Sequence, residues 1–320
     1  MTAVMATKFD ADDPVAALGI GDAPSFAPPS GWVKVHPLAG SINHHDLWSL
    51  RGVGLTAEQL PMVLGTDAAA KTESGERALI YPVIIESSSL ELGASGVSLL
   101  SEKYPGTFAD ELWVPPMNLV PLPHEISDEE AGCLSTAWLT AYRMLTTQAN
   151  LLPGQTVLIQ GAGGGVSNAA ITLAKALGAR VWVTSRSPEK RLRAQQIGAD
   201  STFEPNVRLP DFADVVIETV GEATWAHSLK AVKTGGVIVV SGATSGSEPP
   251  ADLRRVFRRQ IRIQGSSMGT RAEMADLVEL LIRTGARPVI AATYPRSAAR
   301  EAFTKFVAGD FFGKIVLTAG

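Results

Sequence analysis

The chain has one cysteine, Cys133, among 320 residues. A single thiol excludes an internal disulfide and every cysteine-rich zinc module, and it fits a reducing compartment. Charge is sparse as well. Asp, Glu, Lys and Arg make up 19% of the chain and the net charge is −4, which argues against a general affinity for nucleic acid or for an anionic membrane. No apolar run approaches the roughly 20 residues that a membrane span needs. The first stretch, MTAVMATKFDADDPVAAL, lacks the basic segment and apolar run of a secretory signal, so a cytoplasmic protein is expected. What the chain does have is apolar residues, 45% of it. That is enough for a substantial core in one large domain or two ordinary ones.

Two textures alternate along it. Up to about residue 125, Pro and Gly punctuate short β-like runs such as GWVKVHPL (31–38), RALIYPVII (77–85) and DELWVPP (110–116), which predicts an irregular, mostly β region. At SDEEAGCLSTAWLTAYRML (127–145) the texture changes. Ser127 with Glu130 three residues on makes a capping box, and acidic residues in the first turn suit the helix dipole, so a long helix is predicted. Strand and helix then alternate: TVLIQ (156–160), a helix over 166–179, RVWVTS (180–185), a helix over 187–199, and strands at 213–220, 235–242 and 261–267. Near-continuous apolar strands between helices imply a parallel sheet covered on both faces. The tail returns to short strands around one helix. The expected fold class is α/β, with a parallel α/β unit at 125–268 inserted in an irregular β domain made of 1–124 and 269–320.

The strongest local signal is VLIQGAGGGVSNAAITLAKALGA (157–179), a strand that runs through four glycines and one alanine into a helix. Such a turn lets a pyrophosphate approach bare backbone N–H groups at a helix N-terminus. The G-x-G-x-x-G pattern is imperfect: from Gly161 or Gly163 it places Val166 or Asn168 at the third glycine, and from Ala162 it gives Ala162, Gly164 and Ser167. A tight connection is the other meaning of a glycine-rich loop. The strand before it, the helix after it and the second strand favour a dinucleotide site built on Gly163, Gly164, Gly165 and Val166. The second strand ends in VTSRSPEK, with Ser185, Arg186 and Lys190 and no carboxylate before Glu189. A hydroxyl and two cations suit the 2′-phosphate of NADP better than the ribose hydroxyl of NAD.

SINHHDLW (41–48) sets two histidines beside an aspartate and poses the question of a metal site. In a strand-like context His44 and His45 point to opposite faces and do not chelate one ion together. The helical H-E-x-x-H pattern is absent. In DLRRVFRRQIRIQG (252–265), helical spacing puts Arg255, Arg258 and Arg259 on one side, which in an acidic chain reads as a solvated face rather than a nucleic-acid surface.

Six segments in order, INHHDLW (42–48), LPMVLGTDAA (60–69), YPGTFADELWVP (104–115), LTAYRML (139–145), the turn at 157–179 and FFGKIVL (311–317), resemble the medium-chain dehydrogenase/reductase superfamily, and within it the zinc-free quinone-oxidoreductase-like branch related to zeta-crystallin. The resemblance implies a GroES-like catalytic domain around a Rossmann dinucleotide-binding domain. Zinc-dependent members carry ligands where this chain has Asn43, Thr66 and Thr136, none of them a good zinc ligand, so no metal is expected. It further implies that Asn43 contacts the nicotinamide end of NADPH and borders the substrate. His45 stands where zinc-dependent members have a proton-relay hydroxyl; it is either a proton donor or a satisfied structural histidine. Asp46 anchors the loop. Trp48 lines the substrate side or packs in the core. Thr140 lies near the carboxamide, Gly242, Ala243 and Thr244 pass the nicotinamide ribose, Ser266 and Ser267 lie beside the ring, and Lys314 reaches the cofactor. These positions are expected to converge on one cleft, with specificity set by loops near 48–60 and 86–104. The aromatic that often covers the adenine is matched only by FEPNV (203–207).

The implied activity is NADPH-dependent hydride transfer to a small electrophile, a quinone or an α,β-unsaturated carbonyl, by a homodimer whose strand at 261–267 pairs across the two-fold axis. The alternatives are an enoyl-thioester reductase, a relative of zinc-dependent alcohol dehydrogenases, and an RNA-binding or catalytically silent scaffold.

Overall fold

The computed structural model describes residues 2–86 and 96–320. Of the loop at 86–104, residues 87–95 therefore lie outside the described residues. The chain divides into two compact units. The first comprises Met1–Thr136, Thr270–Ile282 and Ile290–Gly320; the second comprises Ala137–Gly269 and Arg283–Val289.

The second unit is a six-stranded parallel sheet. Its strands are β1 (Thr156–Gln160), β2 (Arg180–Thr184), β3 (Ser201–Phe203), β4 (Ala213–Glu218), β5 (Val232–Val240) and β6 (Arg262–Gly265), in the spatial order β3-β2-β1-β4-β5-β6. This is the doubly wound order, with its switch point beside β1. Helices α1 (Gly165–Ala176), α2 (Pro188–Gln196), α3 (Glu222–Ala231) and α4 (Leu253–Arg259) connect the strands. Every residue of β1 is buried, as a strand covered on both faces requires. β6 closes one edge, and its four residues are exposed.

The first unit is irregular and mostly β. Its largest sheet runs Leu119–Pro121, Arg77–Ile80, Ala69–Thr72, Val33–Ser41, Lys314–Thr318, Ile290–Pro295, with Leu112–Val114 also on Val33–Ser41. The tail strand Lys314–Thr318 pairs antiparallel with Val33–Ser41 and parallel with Ile290–Pro295. A core of Ile42, Leu47, Leu50, Leu64, Phe108, Phe303 and Ile315 fills the space beside it.

Three expectations change here. Residues 44–50 form a helix, His44–Leu50, rather than a strand. Leu47 and Leu50, three apart, drop into the core together, and the Asp46 carboxylate accepts from the Asn43 N–H at 2.8 Å to close the first turn. The helix at 127–145 begins with the expected capping box, Glu130 N–H to Ser127 Oγ at 3.1 Å and Ser127 N–H to Glu130 at 2.9 Å. It is not one α-helix: π-type turns at Leu134–Trp138 and Met144–Gln148 flank Leu139–Arg143. Finally, the division falls after Thr136, not after 124. Residues 128–131 pack on the strand Val33–Ser41, and Gly132 lies so close that a Cβ there would sit 2.8 Å from the Ala39 carbonyl. Among the described residues no helix is long and apolar enough to cross a membrane.

Candidate active site

In the nucleotide-type unit, β1 delivers the chain to the turn, and Gly164 caps α1. A Cβ on Gly164 would meet nothing within 4 Å, so the cap is open to an approaching group. Gly163 faces the end of a lysine: a Cβ there would lie 3.1 Å from Lys190 Nζ. Asn168 steadies the turn by donating through Nδ2 to the Ala162 carbonyl at 2.5 Å. A helix N-terminus with free N–H groups, a bare glycine and a neighbouring ammonium fits a pyrophosphate. At the end of β2, Arg186 is exposed and Ser185 is buried, its N–H bonded to the Phe203 carbonyl at 3.0 Å. Sequence reading missed Arg191, whose Nη1 donates to the Ser185 carbonyl at 2.6 Å, one helical turn after the cap Ser187. Its i, i+4 relation to Ser187 was the signal available. Lys190 thus stands over the glycine turn, while Arg186 and Arg191 flank the strand end. Phe203 is engaged edge-on by Trp182 at 5.8 Å and packs in the core, so it is no adenine platform.

The remaining expected cofactor positions of this unit divide. Gly242, Ala243 and Thr244 follow β5, and Thr244 is pinned to the Thr219 carbonyl at 3.4 Å. The Ser266 N–H reaches the Val240 carbonyl at 2.8 Å, while its buried Oγ has no partner; Ser267 is exposed. Thr140 is buried on Leu139–Arg143.

Beneath the turn lies a buried polar network. Gln160 Nε2 donates to His227 Nδ1 at 2.9 Å and to Ser228 Oγ at 3.0 Å, and Gln160 Oε1 accepts from Thr184 Oγ1 at 2.6 Å. Ser228 Oγ donates to Glu218 at 2.6 Å, and that carboxylate also accepts from Thr224 Oγ1 and from the N–H groups of Val220 and Gly221. The Val207 carbonyl at 2.9 Å assigns the His227 proton to Nε2, which makes every donor in the network meet an acceptor.

The first unit gathers a second cluster. Asn43, Thr66 and Thr136 come together from three distant stretches. Thr66 Oγ1 and Thr136 Oγ1 are 2.9 Å apart, and Asn43 Nδ2 is 3.4 Å from Thr66 Oγ1, 3.1 Å from the Ser41 carbonyl and 3.0 Å from Asp67 Oδ2. Lys314 closes the cluster. Its Nζ donates to Asn43 Oδ1 at 2.6 Å and to the Ile42 carbonyl at 3.1 Å, and lies 3.5 Å from Asp67 Oδ2. An ammonium has three donors, and three acceptors surround this one. Its side chain is 4% exposed. Lys314 was expected to reach the cofactor; its donors are instead turned onto its own unit. Cys133 lies in the same region, and burial pushes its thiol up to about 12.

His45 and Asp46 separate in role. Asp46 is buried and accepts from the N–H groups of Asn43 and Gly65 at 2.8 and 2.9 Å, and burial raises its carboxyl above the usual range. His45 Nε2 is 3.2 Å from Glu102 Oε1, whereas its buried Nδ1 has no partner. His44 instead meets the Phe306 ring at 5.2 Å, so the two histidines diverge through helical rather than strand geometry. Glu102 was not foreseen. Burial opposes its ionisation, but hydrogen bonds from His45 and the Leu99 N–H hold its carboxyl below the usual range. Trp48 is 42% exposed.

The family model of the zinc-binding dehydrogenases matches residues 165–283. An acryloyl-coenzyme A reductase of Metallosphaera sedula is 33% identical over 223 residues, 68% of this chain and 67% of that protein. A solved NAD-dependent alcohol dehydrogenase superposes with a TM-score of 0.90 at 30% identity, covering 100% of both chains. The chain belongs to the medium-chain dehydrogenase/reductase superfamily. A quinone oxidoreductase-like protein 2 homolog of Nematostella vectensis is 28% identical over 89% of this chain and 81% of that protein. The chain also matches two mycobacterial polyketide synthase subunits, of whose length it spans 9%.

The family name raises zinc, and the donor set can be tested for it. Asn43, Thr66 and Thr136 offer an amide and two hydroxyls, where zinc takes thiolate, imidazole or carboxylate. The Asn43 oxygen is already bonded to an ammonium, whose charge repels a dication. This set does not fit zinc.

Proposed function

We propose that the protein is an NADPH-dependent reductase that delivers hydride to a quinone or to the β-carbon of an α,β-unsaturated carbonyl, without zinc. One observation carries the reading: Asn43, Thr66 and Thr136 are locked around the buried Lys314–Asp67 pair. A fixed internal cation removes the metal's place, and with it the Lewis acid that alcohol oxidation uses to stabilise an alkoxide. Electron-poor acceptors need less help. The bound cofactor supplies hydride from its nicotinamide ring.

The chain's own groups do the rest. The open cap at Gly163–Val166 and the Lys190 ammonium take the pyrophosphate, with Gly242, Ala243, Thr244, Ser266 and Ser267 proposed along the nicotinamide half. Ser185, Arg186 and Arg191 supply a hydroxyl and two cations, against one exposed carboxylate, Glu204, 3.5 Å from Arg191; this balance favours the 2′-phosphate and hence NADP. Asn43 and Trp48 are proposed to border the acceptor and Thr140 the carboxamide. His45, oriented by Glu102 and with a buried Nδ1 free to exchange a proton, is proposed as the donor to the reduced product. The similarity to an acryloyl-coenzyme A reductase favours a second reading at the same site, an enoyl-thioester reductase. The exposed edge β6, with Ile263 45% exposed, supports a homodimer paired along that strand. Light scattering is expected to give the mass of two chains; the mass of one would contradict this.

The test is NADPH consumption by EDTA-treated protein with a small quinone, cyclohexenone, crotonyl-CoA and an aldehyde, with NADH in parallel. Turnover of quinone or enone with an NADPH preference is expected. Crotonyl-CoA as the sole good acceptor selects the second reading. Dinucleotide binding with no turnover, or aldehyde turnover only after zinc is restored, contradicts both.

A further inference from the structure

We propose that Thr136 is a catalytic residue: its hydroxyl donates a hydrogen bond to the carbonyl oxygen of the acceptor, in the place a metal would otherwise hold. The inference rests on the reductase reading and names the group that handles the developing charge.

It follows from the direction in which the cluster can send its protons. Lys314 has only donors, so Asn43 Oδ1 must accept. That fixes the amide: the two protons of Nδ2 go to Ser41 O and Asp67 Oδ2, at 3.1 and 3.0 Å, and Thr66 Oγ1 is a longer, shared contact of the same donor at 3.4 Å. From the Asn43 side, therefore, Thr66 Oγ1 faces only a donor. Thr66 is fully buried, and the acceptor in reach of its own proton is Thr136 Oγ1, at 2.9 Å. Were the bond reversed, the Thr66 hydroxyl proton would be left buried without an acceptor, which folded proteins avoid. Thr66 therefore donates and Thr136 accepts. Thr136 is left with a proton that its own cluster does not use, and it is the partly exposed member of the chain of bonds. It sits in the π-type turn Leu134–Trp138, the kind of local distortion often found at functional positions. A row of hydrogen bonds that starts at a buried ammonium and runs one way polarises its last donor.

In the reaction, a hydride with its electron pair forms a C–H bond at the β-carbon of the enone. The C=C π bond breaks, and the negative charge moves to the carbonyl oxygen as an enolate. The Thr136 hydroxyl keeps its proton and stabilises that oxygen. The α-carbon then takes a proton from water or His45, the carbonyl re-forms, and the nicotinamide is left oxidised. Asn43, Thr66 and Lys314 are positioning residues in this account, since they act through Thr136.

The test compares wild type, Thr136→Val and Thr136→Ser with 2-cyclohexenone as the probe; Thr136→Ala replaces the valine variant if that one does not fold. Two quantities are read: kcat with NADPH, and the infrared carbonyl stretch of cyclohexenone bound in the presence of NADP. Removing one such donor is expected to lower kcat by about 100-fold, with NADPH affinity unchanged and Thr136→Ser recovering most of the rate. The carbonyl stretch is expected at lower frequency in wild type and the serine variant than in the valine variant. An unchanged kcat or an unchanged stretch in Thr136→Val overturns the role of Thr136 and leaves the reductase reading intact. Wild type that neither binds nor reduces cyclohexenone overturns both.

Discussion

Among the described residues, two buried polar clusters can be set side by side, and they are built to opposite plans. In the nucleotide-type unit, Glu218, Ser228, Gln160, His227 and Thr184 form a network branching from Gln160, in which each donor has an acceptor. In the other unit, Lys314, Asp67, Asn43, Thr66 and Thr136 form an open row, charged at one end and with an unused hydroxyl proton at the other. The closed network holds β1, β2 and α3 in register beneath the glycine turn and has nothing to offer a ligand. The open one does. The difference teaches that burial and hydrogen bonding do not mark a site by themselves; the unspent donor does.

The largest expected effect comes from breaking the charged row. Lys314→Met leaves the Asp67 carboxylate buried without its cation, and breaking such a pair costs about 3–5 kcal/mol, read from urea unfolding. Lys314→Met combined with Asp67→Asn is expected to recover part of that loss, which a mere packing defect would not. Next is the closed network. Glu218→Gln turns an amide toward hydroxyl and backbone donors and is expected to cost about 1–3 kcal/mol, with NADPH turnover per folded molecule unchanged. Removing one of the cations proposed for the 2′-phosphate, by Arg191→Ala or Arg186→Ala, is expected to raise KM for NADPH about tenfold and leave that for NADH in place.

Smaller effects follow from titration. Burial lowers the His227 pKa, so the folded state disfavours its cation. The stability this gives is present above the unfolded value of about 6.5 and drains as pH falls below it. A plot of melting temperature against pH is expected to be flatter in that range for His227→Gln. Cys133 moves the other way. With its thiol pushed up to about 12, it stays protonated, and iodoacetamide is expected to leave native protein unlabelled at about pH 8, while urea-unfolded protein reacts.

The two clusters also differ in how far the sequence announced them. The nucleotide-type unit is legible because its signals are local: a buried strand, the glycines at 161–165 and a helix follow one another within one short stretch, and the strand order then follows from the alternation. Lys190 and Arg186, proposed here for the cofactor's phosphates, were singled out for the same reason. Arg191 was not singled out, because its contact with the Ser185 carbonyl is a tertiary detail of the helix start. In the other unit, Asn43, Thr66, Thr136 and Lys314 come from four separate segments, and only family resemblance drew the first three together. Nothing in the composition says that Lys314 turns inward to Asn43. The strand assignment at His44–His45 failed despite an available cue, Asn43 with Asp46 three residues on, the spacing of an N-terminal helix cap. Glu102 became visible only as the partner that holds His45.

The central claim is that a buried ammonium and a one-way row of hydrogen bonds stand where relatives place a metal. It is tested most directly by measuring zinc content together with the rate of enone-dependent NADPH oxidation, before and after EDTA and after zinc is added back. The account predicts substoichiometric zinc and a rate indifferent to all three conditions. Stoichiometric zinc whose removal abolishes turnover and whose return restores it would contradict the account.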